Sequence, residues 1–204
     1  MYYYLKKSAI IYVFLIMTAI TAVAIVTITQ SKPLQLVLSI VNLALFSMMI
    51  VAVFYHEGTE SMQITYKNDS IRRQIIATGE DLKVDKASEY SLYKGFTFGL
   101  SGAGLLIVLI VVHVIVVIAT GGQTLTLGRI AGIVYLSFYE PVSVIIRMFI
   151  GDAVFSWWHY LLTLYTVPFM MTLTAIPYYL GAKKIRLQHE KIEEQQRFIH
   201  GDKK

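Results

Sequence analysis

The chain has 204 residues, of which 56% are hydrophobic and only 15% charged, and its mean hydropathy is +0.60; an average soluble chain carries about 25% charged residues, so the polar coat of a soluble domain is missing here. There is no cysteine, which excludes disulfides, Cys-ligated zinc, iron–sulfur clusters and thiol catalysis. The net charge of +5 comes from Lys and Arg that flank apolar runs, a pattern of membrane topology rather than of nucleic-acid binding.

Met1–Lys7 is a tyrosine-rich head with Lys6 and Lys7, and Ser8–Thr29 follows without a charge. At ~1.5 Å per residue such a run is long enough for the ~30 Å hydrocarbon core. A cleaved signal peptide ending near Ala22-Val23-Ala24 is the competing reading. The apolar run continues to Ile28 and a second one follows at once, which favours a retained helix. After the connector Gln30–Pro33, Leu34–Tyr55 is again uncharged, with Asn42 inside it. The two runs predict an antiparallel helical hairpin, and residues 1–55 form the first region.

Residues 56–94 form a polar loop region. Within it, Thr59–Thr78 has the pattern of an amphipathic helix carrying Met62, Ile64, Ile71, Ile75 and Ile76, with Gly79 as its stop. The charged stretch Glu80–Glu89 reads as loop.

Residues 95–181 form a second membrane region. Its first span, near 96–120, opens with Gly95 and Gly99 in a GxxxG pattern followed by Gly102, Ala103 and Gly104, a surface for close helix packing. His113 stands near its middle. The segment 125–150 is apolar but carries Arg129, Glu140 and Arg147, and Glu140-Pro141 divides it into pieces short for a span. The last span, near 155–180, has Trp157, Trp158, His159 and Tyr160 at one end and Tyr178 and Tyr179 at the other, as in an aromatic belt. Pro168 and Pro177 fall inside it. Residues 182–204 form a charged tail, helical to about Phe198.

Orientation decides the number of spans. If four segments cross, fifteen of the eighteen Lys and Arg share one side, and Lys32, Arg129 and Arg147 are left on the other. A fifth crossing by 125–150 would move the seven basic residues of the tail across and erase that bias. The expected fold is therefore all-α: an integral membrane bundle of four transmembrane helices plus a re-entrant or interfacial segment, with five spans as the alternative. Both termini are expected to be cytoplasmic and the location the plasma membrane.

Glu140 is the one carboxylate inside an apolar run, and ionisable groups at membrane depth are costly and often functional. Arg147, two helical turns on, is its nearest cationic candidate, with Arg129 a less direct one. His113 and Asn42 are candidates for a hydrogen bond between helices. These five residues make up the candidate intramembrane polar site. No HExxH, GxSxG, P-loop or dinucleotide fingerprint occurs, so neither enzyme activity nor a cofactor or metal is expected. The expected partners are the lipid bilayer and other membrane proteins or further copies of this chain, without nucleic acid. The best functional expectation is a non-catalytic membrane subunit or accessory protein; a small transporter or channel built on 125–150 is the alternative.

Two short stretches, Glu89-Tyr90-Ser91-Leu92-Tyr93-Lys94-Gly95-Phe96 and Tyr178-Tyr179-Leu180-Gly181-Ala182-Lys183-Lys184, resemble a group of uncharacterised small polytopic membrane proteins of Gram-positive bacteria. The resemblance implies a bacterial plasma membrane and carries no activity or site with it.

Overall fold

The computed structural model describes residues 2–119 and 165–200. These residues are all-α. Four helices are present among them: α1 (Tyr2–Ile28), α2 (Lys32–Thr78), α3 (Leu92–Ala119) and α4 (Thr166–His200). The broken segment 125–150, with Arg129, Glu140 and Arg147, lies outside the described residues.

α1 and α2 form the expected antiparallel hairpin. Asn42 Nδ2 donates to the Thr18 carbonyl at 3.0 Å, and further along the pair Lys7 meets Glu57. Pro33 stands in the first turn of α2, where its missing N–H costs no hydrogen bond.

α2 differs from expectation in one respect. The apolar run Leu34–Tyr55 and the amphipathic stretch Thr59–Thr78 are a single unbroken helix of 47 residues. At ~1.5 Å per residue it is about 70 Å long, more than twice the ~30 Å of a hydrocarbon core. Nothing between Tyr55 and Thr59 forbids a helix, so the change from apolar to polar alters its surroundings and not its backbone. It stops at Gly79, as predicted, where φ is 71° and the N–H bonds back to the Ile75 carbonyl at 2.9 Å. That left-handed conformation suits glycine.

The loop after Gly79 folds back along α2. Asn68 Nδ2 donates to the Asp85 carbonyl at 2.9 Å and to Glu89 Oε1 at 2.8 Å, and the Tyr90 N–H donates to Thr65 Oγ1 at 2.8 Å. Arg72 bridges Asp69 at 2.7 Å and also reaches Glu89. The loop thus delivers the chain to α3 beside the start of the polar half of α2.

Side-chain contacts set the helix directions. α1 and α3 run parallel: Ser101 Oγ donates to Ser8 Oγ at 2.9 Å, and the Tyr3 and Phe98 rings lie 6.3 Å apart. α3 and α4 run antiparallel along the GxxxG face. A Cβ on Gly95 would stand 2.8 Å from the Ala175 Cα, one on Gly99 would crowd the backbone of Met170 and Met171, and Thr174 Oγ1 donates to the Gly95 carbonyl at 2.7 Å. The predicted close-packing surface therefore has α4 as its occupant. A Cβ on Gly104, five residues past Gly99, would meet no described atom within 4 Å.

α2 and α4 run parallel and meet most closely at two glycines. A Cβ on Gly58 would overlap the Tyr178 carbonyl, and one on Gly181 would overlap the Tyr55 carbonyl. Past this crossing the pair continues together, with Tyr66 stacked on His189 at 4.0 Å and an interplanar angle of 5°.

Ile11, Leu15, Phe46, Ile50, Phe54, Phe98, Ala103, Met170 and Tyr178 form the buried core. Many apolar side chains point outward instead, among them Val13, Ile16 and Ile20 on α1, Val37, Leu45 and Met48 on α2, and Val108, Ile115 and Ile118 on α3. Among the described residues, α2 contains a segment long and apolar enough to cross a membrane.

Candidate polar site at the charged end of the bundle

All four helices contribute to one polar cluster where the apolar half of the bundle ends. α1 supplies Tyr3 and Lys7, spaced i, i+4. α2 supplies Phe54, Glu57 and Ser61, spaced i, i+3, i+7. Lys94 and Phe98 come from α3, and Tyr178 from α4. Each set lies on a single helix face, so helical geometry alone gathers its members.

Glu57 is the centre. It is 4% exposed, and its two oxygens accept from different donors: Oε1 from the Tyr3 hydroxyl and Oε2 from the Lys7 ammonium. Lys7 Nζ also stands 3.9 Å from Glu60. A buried carboxylate persists when it is paired and hydrogen-bonded, and both conditions hold here.

Lys94 is the second buried charge, at 6% exposure. Its ammonium donates to the carbonyls of Ala87, at 2.6 Å, and Glu89, so it closes the end of the loop. It also stands 5.1 Å from the centroid of the Tyr3 ring, with Lys7 at 5.8 Å from the same ring. Burial pushes the Lys94 ammonium below its ordinary range, while Glu57, Glu89 and Asp85 pull the other way. Burial, and then the hydrogen bond to Glu57, hold the Tyr3 phenol above its ordinary range.

Aromatic rings seal the cluster from the core side. Phe54 and Phe98 are 5.3 Å apart, Phe98 meets Tyr178 edge-on at 6.3 Å, and Tyr90 stacks on Tyr178 at 5.3 Å. Ser61 Oγ and the Tyr178 hydroxyl are buried here, and among the described residues neither has a hydrogen-bond partner.

These contacts make the cluster a lock between helices. Its carboxylate is occupied by two donors, its buried ammonium by two carbonyls, and its one serine has no base in hydrogen-bond geometry. Among the described residues, no group of three or more His, Asp or Glu is placed to hold a metal ion.

The residues singled out from sequence fare differently. Asn42 is buried and its amide donates to the Thr18 carbonyl, so it makes a hydrogen bond between α1 and α2. His113 lies in α3, but its side chain is outside the described set, as are Arg129, Glu140 and Arg147 altogether. Of the five, Asn42 alone has a described side chain.

Lys7, Glu57 and Lys94 were missed because each stands at the edge of an apolar run and reads as a solvated flank. A signal was nonetheless present. Lys7 stands 24 residues before Ser31 and Glu57 stands 26 residues after it, so an antiparallel hairpin with a tight connector places them opposite each other. Comparison with protein-family models, with curated proteins and with solved structures finds no match for this chain.

Proposed function

We propose that this chain is a multi-pass protein of the plasma membrane that acts without catalysis, as an integral membrane subunit presenting a helical stalk to cytoplasmic protein partners. The observation that carries the proposal is the continuation of α2 and α4 beyond the bundle. From Met62 to Thr78 and from Gly181 to His200 the two helices extend past the locked end by 17 and 20 residues. That is roughly 25–30 Å each at ~1.5 Å per residue. The end of α4 exposes Ile192, Phe198 and Ile199, and among the described residues no helix covers them.

Four spans with both termini in the cytoplasm form the topology of this proposal. The outward apolar side chains of α1, α2 and α3 support insertion, because soluble monomers rarely expose continuous apolar surface on that scale. The antiparallel course of α3 and α4 supports an even number of crossings, since a fifth span at 125–150 would make the two helices parallel. The basic residues of the head, the loop and the tail then share the inner side.

Topology is checked with Gln195→Cys, in a chain that has no other cysteine. An impermeant thiol reagent is expected to leave intact cells unlabelled and to label after permeabilisation. Labelling of intact cells would overturn the four-span arrangement.

The subunit role is checked by purification from native membranes in mild detergent. A stoichiometric protein partner is expected with the full chain and is expected to be lost when Lys183–Lys204 is deleted. Recovery of the chain alone, or of the same partner after the deletion, would refute the stalk as the docking surface.

A further inference from the structure

We propose that the groove where α4 leaves the apolar bundle is a binding site for one anionic phospholipid of the inner leaflet. The proposal rests on the membrane-spanning reading above. The groove has a volume of about 500 Å³ and is lined by Tyr55 of α2 and by Leu180, Lys183, Lys184, Leu187, Gln188 and Lys191 of α4. That volume falls within the roughly 300–1,000 Å³ range of small-ligand sites.

The lining has the polarity of a lipid read from tail to head. Leu180 and Tyr55 stand at the end of the apolar segments, and Leu180 and Leu187 are both exposed. Lys183 and Lys184 follow Leu180 within one turn, which is about 5–6 Å along the axis at ~1.5 Å per residue. A headgroup layer is roughly 5–8 Å deep on each side of the hydrocarbon, so both ammonium groups fall at phosphate depth. The Lys184 ammonium stands 5.9 Å from the Tyr55 ring centroid, which holds its stem across the groove. Lys191, two turns on, closes the far end.

Charge restricts the occupant. The groove is lined by three lysines and no carboxylate. At and beyond its far end α4 becomes acidic, with Glu190, Glu193 and Glu194, so the positive surface faces the bilayer and ends a short way into the cytoplasm. A long acidic peptide would meet those carboxylates, whereas a phosphodiester headgroup whose chains lie along Leu180 and Tyr55 stays on the basic side. Lysines close to an anionic leaflet contribute about 1 kcal/mol each, which is roughly fivefold in occupancy per residue.

The test is native mass spectrometry of the full chain in mild detergent with phosphatidylglycerol and phosphatidylcholine added in equal amounts. The expected result is one retained phosphatidylglycerol, with at least a tenfold preference over phosphatidylcholine. The exposed triple variant Lys183→Gln/Lys184→Gln/Lys191→Gln is expected to lose that preference. Arg73→Gln/Lys83→Gln/Lys86→Gln, which removes the same charge from the loop side, is expected to keep it. Equal retention of the two lipids, or equal loss in both variants, would overturn a localised site. Displacement of the lipid by inorganic phosphate at equal concentration would do the same, because the ligand would then be a soluble anion. Alkaline carbonate extraction of membranes is run alongside. Release of the protein refutes the spanning reading, whereas retention without lipid preference refutes the lipid site alone.

Discussion

Glu57→Gln is expected to destabilise the folded bundle by about 3 kcal/mol, the low end of what breaking a buried ion pair costs. The carboxylate is almost fully buried and serves two donors on α1, Tyr3 and Lys7. An amide keeps a hydrogen bond to Tyr3 but leaves Lys7 with Glu60, 3.9 Å away, as its remaining counter-charge. The side chain of Lys7 is 20% exposed, so its ammonium can shift toward water and recover part of the loss; this places the expectation at the low end. The double variant Lys7→Met/Glu57→Gln is expected to regain most of the stability, because removing both charges leaves neither unpaired while the amide still accepts from Tyr3. Equilibrium unfolding in detergent of the parent, Lys7→Met, Glu57→Gln and the double variant provides the four values of the cycle. If Glu57→Gln lies within about 0.5 kcal/mol of the parent, a typical surface effect, the lock does not hold α1 to α2.

The locked end also shows what could be read from sequence and what could not. Helix existence was legible. The uncharged runs gave α1, the first half of α2, and α3, and Gly79 marked the stop of α2 through a backbone conformation that glycine alone adopts cheaply. The GxxxG face was legible as a contact surface, but its occupant was not. A stripe of small residues states how close a neighbour comes and nothing about which helix it is. The continuity of α2 was missed for a related reason. A change from apolar to charged residues marks a change of solvent, and it was read as a change of backbone. Burial of Glu57 and Lys94 lay further out of reach. Each is buried by side chains from other helices, Tyr3 and Lys7 over Glu57 and the loop carbonyls around Lys94, and a linear scan sees only the flanking residues. The hairpin register was the one route to it. Glu140, Arg129 and Arg147 stay where the sequence put them, as expectations about a segment outside the described residues.

Gly58→Ala is expected to cost about 3 kcal/mol, although alanine is ordinarily the better helix former by roughly 0.5–1 kcal/mol. The added methyl would overlap the carbonyl oxygen of Tyr178, which is main chain and has no rotamer by which to yield. The helix axes must part, and the reciprocal contact of Gly181 with the Tyr55 carbonyl is lost with them. Gly181→Ala should therefore cost a similar amount, and the double variant less than both costs together, because the first separation relieves the second clash. Gly104→Ala is the control: the position faces open space, so the same substitution should be neutral or stabilise by up to about 1 kcal/mol. Unfolding in detergent ranks the four proteins, and Gly58→Ala as stable as Gly104→Ala would mean that α2 and α4 are not held at this crossing. The consequence reaches function. Tyr66 and His189 stack beyond the crossing only if the helices leave it side by side. A Gly58→Ala protein that still resists carbonate extraction but no longer retains the cytoplasmic partner proposed above would tie partner binding to the paired stalk rather than to either helix alone.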